Sequence, residues 1–188
     1  MPQAAPPHSE GRLSLDDWTA RALALLLEEG PAAVTVQRLC TDLGVTKGSF
    51  YWHFADRAAL TTAIARRWVR ESHATMARLE EIEGLPPADR LRAITVRLLD
   101  PSTYAVERSL RTWARTEPSV ASVIAEGDVW IVTLVASTLL ELGLAPEEAR
   151  MRAGVLHFAA IGFAHGEAGL PHPTEADVDR LVGWVTRP

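Results

Sequence analysis

Residues 35–54 read TVQRLCTDLGVTKGSFYWHF, and this stretch decides the fold, because it spells two short helices joined by a tight turn. Thr35 carries the short hydroxyl side chain of an N-cap. Val36, Leu39, Cys40 and Leu43 follow it at steps of three and four, which puts one apolar stripe inward. Gly44 accepts the left-handed backbone that closes a helix, Val45 fills the angle between the two helices, and Thr46 is placed to cap the next. That second helix, 47–53, sets Lys47, Ser49, Tyr51, Trp52 and His53 beside two residues of buried type, Phe50 and Phe54. Its face is too rich in hydrogen-bonding groups for packing alone. Donors near a helix N-terminus suit base edges and phosphates, and Gly48 removes a side chain where the helix must approach a groove closely. The stretch therefore predicts a helix-turn-helix.

Outward from it, the whole chain reads as helix, with no alternating strand pattern of useful length and no internal repeat. The first helix is expected over 15–29, opened by a Ser14–Asp17 capping box and burying Leu15, Trp18, Ala22 and Leu25. A fourth runs over about 57–80 with Leu60, Ile64 and Trp68 at steps of four, and links the two halves of the chain. Gly84-Leu85-Pro86-Pro87 interrupts it, and a helix follows over 88–99, with Asp100-Pro101 as its stop. Further helices are predicted over 103–116, 119–142, 146–166 and 175–185. Residues 1–12, rich in Pro and Ala without periodicity, read as a flexible arm. The expected organisation is that arm, a DNA-binding domain over 13–58 and a second helical domain over 59–188.

Charge supports this organisation only when taken locally. The 188-residue chain has a net charge of −5, unlike a protein that coats nucleic acid non-specifically. Between residues 37 and 70, however, Arg38, Lys47, Arg57, Arg66, Arg67 and Arg70 face only Asp42 and Asp56, a local balance of +4. Lys47 is the one lysine in the sequence. An apolar content of 47% supplies a sizeable core, and a single cysteine excludes an intramolecular disulfide framework. The N-terminus lacks the basic start and apolar run of a signal peptide, so the cytoplasm is expected. The longest apolar runs, 129–140 and 153–164, fall short of the ~20 residues that span a bilayer, so no membrane is expected.

Residues 15–60 resemble the N-terminal domain of the TetR family of bacterial transcription regulators. The order of features carries the resemblance: a first helix ending in Glu29-Gly30, Thr35 opening the second, Gly44-Val45-Thr46 as the turn, then Gly48-Ser49-Phe50-Tyr51, His53-Phe54 and Leu60. The likeness covers about a quarter of the chain closely. It implies an all-α fold: a three-helix DNA-binding domain followed by a helical ligand-binding and dimerisation domain. It also implies phosphate and base contacts from Thr35, Thr46, Lys47, Ser49, Tyr51 and His53, with Gly48 and Trp52 beside them. Arg57 stands where the family more often has a lysine touching the DNA backbone, and Cys40 where it has a small alanine; both changes keep the charge or the buried character.

The segment around 153–164 is apolar all round, with Val155, Leu156, Phe158, Ala159, Ile161 and Phe163 encircling the axis, as in a helix covered on both sides. Gly154 and Gly162 let another helix approach, and the last helix offers Val178, Leu181, Val182 and Trp184. Closing a monomer core is one reading. The stronger is a homodimer interface formed by Gly154, Ile161, Gly162, Phe163, Val178, Leu181 and Trp184. In proteins that this chain resembles, the last two long helices of each subunit pair into a four-helix bundle, placing two recognition helices about 34–36 Å apart, or slightly more, on a pseudo-palindromic operator. The resemblance further implies a chamber for an unknown small-molecule effector, with candidate lining residues Tyr104, Arg108, Arg111, Trp113, Trp130, His157 and Phe158. Trp113 and Phe158 have ordinary core packing as an alternative, and Trp130 packing or interface.

The function expected is a homodimeric repressor, bound to double-stranded DNA and released by the effector. The alternative is a helical small-molecule-binding protein whose helix-turn-helix no longer binds an operator. No enzyme is expected, since no phosphate loop, nucleophile elbow or Ser/His/Asp set is visible. No cofactor is expected. His157, His165 and Glu167 lack the spacing of a metal site. Cys40 reads as a small core residue in preference to a redox switch. For His53, a pH-sensitive phosphate contact and a neutral stacking role both stand.

Overall fold

The computed structural model describes residues 13–77, 84–166 and 172–187. The predicted arm 1–12, the end of the predicted fourth helix at 78–80 and Glu167 lie outside the described residues. Among those described there are nine α-helices and no strand.

Helix α1 (Leu15–Glu29) begins at the expected capping box: the Ser14 hydroxyl accepts from the Asp17 backbone N–H, and the Asp17 carboxylate accepts from the Ser14 N–H. Trp18, Ala22 and Leu25 are fully buried as expected, whereas Leu15 is half-exposed. Leu15 stands at the first helical position, before the inward stripe makes its first turn into the core. Helix α2 (Val36–Asp42) is capped by Thr35 and closed at Gly44, whose φ of 66° explains the glycine. The Val45 N–H reaches back to the Cys40 carbonyl at 2.9 Å, so the turn satisfies carbonyls that the helix end leaves open. Helix α3 (Lys47–His53) follows at once, then α4 (Arg57–Ala77).

The second half comprises α5 (Pro87–Leu98), a 3-10 turn (Pro101–Thr103), α6 (Tyr104–Ala114), α7 (Pro118–Glu141), α8 (Pro146–His165) and α9 (Glu175–Val185). Prolines open α5, α7 and α8 where a missing N–H costs nothing, and Thr174 with Asp177 makes a second capping box at α9. Helix α7 differs from its sequence reading, because further apolar residues, Val120, Val123 and Ile124, precede the run at 129–140 on the far side of Glu126 and Asp128. By length and composition it is the one helix among the described residues long and apolar enough to cross a membrane. Here it is the central helix of the bundle, packed against α4, α5, α6 and α8.

Two large apolar clusters and a smaller third, around Leu99, Ala160 and Val178, organise the packing. The first joins Trp18, Leu25, Leu39, Phe50, Leu60 and Ile64 of α1–α4 to Val106, Leu110 and Trp113 of α6 and Val120 of α7, so the helix-turn-helix shares its core with the helices behind it. The second gathers Leu91 and Ile94 of α5, Val135 and Leu139 of α7, Ala153 and Leu156 of α8 and Val185 of α9. Helix α4 is the common wall between the reading head and the bundle.

Candidate DNA-reading face and inner chamber

Helix α3 is anchored by one side and open on the other. Phe50 is fully buried, edge-on to Trp18 at 5.5 Å between ring centroids and 5.2 Å from Phe54, which clamps α3 to α1. The opposite face carries Lys47, Gly48, Tyr51 and Trp52, all exposed, with Tyr51 60% and Trp52 63% accessible. Lys47 and Tyr51, like Gly48 and Trp52, are four residues apart and therefore neighbours on the helix surface. Two large aromatic rings side by side thus leave exposed apolar surface on this face. Their poses are fixed from behind, Tyr51 edge-on to Phe50 at 5.3 Å and Trp52 edge-on to His53 at 4.6 Å. Ser49 and His53 are half-buried. Thr35 is exposed and accepts from the Arg38 N–H at 3.1 Å, which leaves its own hydroxyl proton to donate. Thr46 occupies the backbone position of an N-cap, but its side chain makes no cap hydrogen bond, which corrects the role expected for it. Arg57 is the exposed first residue of α4.

Local charge is more selective than the +4 count implied. Arg38 is held by Glu29 at 2.6 Å and Asp42 at 2.9 Å, Arg67 by Glu71 at 2.7 Å and Asp16 at 2.9 Å, and Arg70 lies 3.7 Å from Asp16. Hydrogen bonds from Arg21 and Arg38 hold the Asp42 carboxyl below its ordinary value. Lys47, Arg57 and Arg66 form no ion pair among the described residues. Two of these three, Lys47 and Arg57, begin α3 and α4, at and beside the reading helix. Cys40 is buried beneath it, and burial pushes its thiol pKa up, away from the reactive thiolate.

Behind α4 lies a narrow cavity of about 80 Å³. Its wall combines Trp68 and His73 of α4, Tyr104, Glu107 and Arg111 of α6, Asp128 of α7 and His157 of α8. The Tyr104 hydroxyl donates to the Leu99 carbonyl at 2.9 Å, and burial, with Asp100 nearby, raises its pKa. Arg111 is shared by two acids, through Nε to Glu107 at 2.6 Å and through both terminal nitrogens to Asp128 at 2.7 and 3.1 Å. The His157 Nε2 lies 2.9 Å from the same Asp128. Burial pushes the Asp128 carboxyl up, but the hydrogen bonds of His157 and Arg111 outweigh it and hold the pKa below the ordinary value.

Of the lining residues expected from sequence, Tyr104, Arg111 and His157 meet in this cavity and the other four do not. Arg108 points outward and donates to the Ala164 carbonyl at 2.9 Å. Trp113 belongs to the shared core, taking the packing alternative. Trp130 stacks on His73 with centroids 3.9 Å apart, one layer behind the wall. Phe158 is 71% exposed, on the outer side of α8. Missing from the sequence reading were Glu107 and Asp128. The signals were there: Glu107 stands four residues before Arg111, and Asp128 immediately precedes the apolar run that begins at Val129.

The residues expected at an interface divide by depth. Val178 is buried within the chain, Phe163 and Leu181 pack partly against it, and Ile161 lines the cavity. Gly154 and Gly162 have open space where a Cβ would stand. Trp184 remains half-exposed, as do Met151 and Val155, which the sequence reading had not placed at the surface. With Phe158 they leave an apolar strip along α8 and α9. Among the described residues no group of three or more His, Cys, Asp or Glu is arranged to hold a metal ion.

Comparison with known proteins matches residues 19–64 to the model described as bacterial regulatory proteins, tetR family. The tetracycline repressor protein class A of Escherichia coli is 40% identical over 52 residues, 28% of this chain and 24% of that protein. The matched stretch thus spans about a quarter of that relative's length. A transcriptional regulator from Rhodococcus has the same fold over 92% of this chain and 96% of its own, with a TM-score of 0.81 and 24% identity. The structure of BioQ with its double-stranded DNA operator aligns over 93% of this chain and 98% of that one, with a TM-score of 0.58 and 23% identity.

Proposed function

From the premise that this chain belongs to the TetR family of bacterial regulatory proteins, we propose that it is a homodimeric repressor. In this reading it binds a pseudo-palindromic operator in the cytoplasm and is released by a small-molecule effector. One observation carries the DNA part: α3 is fixed to the core by Phe50 and presents Lys47, Gly48, Tyr51 and Trp52 outward. Residues 13–58 would form the reading unit and 59–188 the effector and dimer unit. Thr35, Thr46, Ser49, His53 and Arg57 complete the DNA-contacting set, and the apolar strip of Met151, Val155, Phe158 and Trp184 favours the dimer.

Release is built on α4. Trp68 and Val69 of that helix face the cavity, while Arg67, one residue before, binds the Asp16 carbonyl of α1 at 3.0 Å. A ligand that wedges the wall of the cavity outward therefore also drags the reading head. To move the population from 99:1 to 1:99, the ligand must favour the released state by about 5.5 kcal/mol.

The test is selection of duplexes from a random DNA pool, followed by operator titration at two salt concentrations. Lys47→Ala with Tyr51→Ala should weaken the operator at least tenfold with the oligomeric state unchanged, and the Lys47→Ala protein alone should show a shallower salt slope. Enrichment of no motif by a verified dimer at low salt would sink the reading in favour of a helical binding protein.

A further inference from the structure

His157, on the wall of the cavity behind α4, carries a buried polar atom with no partner. His157 is only 4% exposed, its Nε2 is engaged by Asp128, and its Nδ1 makes no hydrogen bond. Since Asp128 also takes both terminal nitrogens of Arg111, it is the ionised, acceptor-only partner, and the hydrogen of a neutral His157 lies on Nε2. Nδ1 is then an unused acceptor, and burying such an atom unpaired is costly.

Charge narrows what should meet it. Glu107 and Asp128 share the single guanidinium of Arg111, so beside a neutral His157 this cluster carries one negative charge in excess. Arg97, also on the wall, is already held by Asp100 at 3.3 Å. A bound anion would add to the excess; a bound cation with an N–H would cancel it and satisfy Nδ1 in one step. Trp68 and Tyr104 supply aromatic surface of the kind that attracts organic cations.

We infer that the cavity takes a small organic cation, a protonated amine or amidine on a flat apolar body, with its N–H given to His157 Nδ1 and its charge balanced by Glu107 and Asp128. This rests on the effector reading above and names the ligand class for the same site.

Calorimetric titration of the full-length protein with a matched series tests it. Benzylammonium should bind at least tenfold tighter than benzyl alcohol, which lacks the charge, and than benzyltrimethylammonium, which lacks the N–H; benzoate should not bind. Glu107→Gln should erase most of the preference over benzyl alcohol. His157→Phe should bring benzylammonium and benzyltrimethylammonium to equal affinity; if that variant does not fold, the wild-type series decides alone. Benzoate equal to or tighter than benzylammonium, or no binding across the series, overturns the inference. Operator titration beside it separates the two readings. Cation bound with operator affinity unchanged refutes release and keeps the ligand class, whereas operator bound with no cation binding refutes only the class.

Discussion

At the scale of single residues, Asp128 sets the electrostatics of the chamber, and its effect has a definite direction. Its folded pKa is depressed, so its stabilising bonds are fully present above the unfolded carboxylate pKa, about 3.9. They are lost as pH falls through the folded value. Thermal unfolding of the wild type should therefore drop steeply below about pH 4, in part through this group. Asp128→Asn should melt lower at pH 7, because Arg111 and His157 lose their anionic partner, and should show a shallower acid limb. An unchanged limb in a melting series from pH 7 to pH 3 would remove Asp128 from the account. Cys40 illustrates the opposite case, a chemically interesting side chain whose depth makes it ordinary core, as its place on the apolar stripe of α2 had indicated.

Among the elements, α4 and α7 approach so closely that Gly127 is the residue to test. A Cβ added there would stand 3.2 Å from one methyl of Val69 and 3.4 Å from the other. Two effects then compete: alanine gains about 1 kcal/mol of helix propensity over glycine, and overpacking costs about 1–3 kcal/mol. The stiff, β-branched Val69 gives the second effect the edge. Gly127→Ala should lower stability by about 1 kcal/mol in urea titration and change operator affinity without ligand, because the strain falls on α4. The same elements explain what was legible in the sequence. The bounds of α1, α3 and α9 could be read because caps, a glycine with positive φ and a regular stripe act locally. The facing of α8 could not, since a helix apolar on every side gives no preferred inward direction, and Phe158 was assigned to the chamber when it points out. Likewise Trp113 looked like a lining residue because its neighbour in space, the core of the reading head, lies nearly a hundred residues away in sequence.

For the molecule as a whole, the exposed strip on α8 and α9 is a large apolar surface for one chain to leave in water. Phe158→Glu should convert the proposed dimer to monomer in sedimentation equilibrium with helical content intact, and should weaken the operator at least tenfold, because each bound molecule would then bring one reading helix instead of two. A dimer that persists would place the interface elsewhere. The placement of Lys47 gives the assembled protein one more property. It is the single lysine of the sequence, exposed at the head of α3, so the one side-chain amine available to acylating reagents stands where DNA would cover it. Mild amine labelling followed by mass spectrometry thus becomes a footprint with a single side-chain spot: protection of Lys47 from acylation reports occupancy of the groove directly, without a dye or an engineered cysteine.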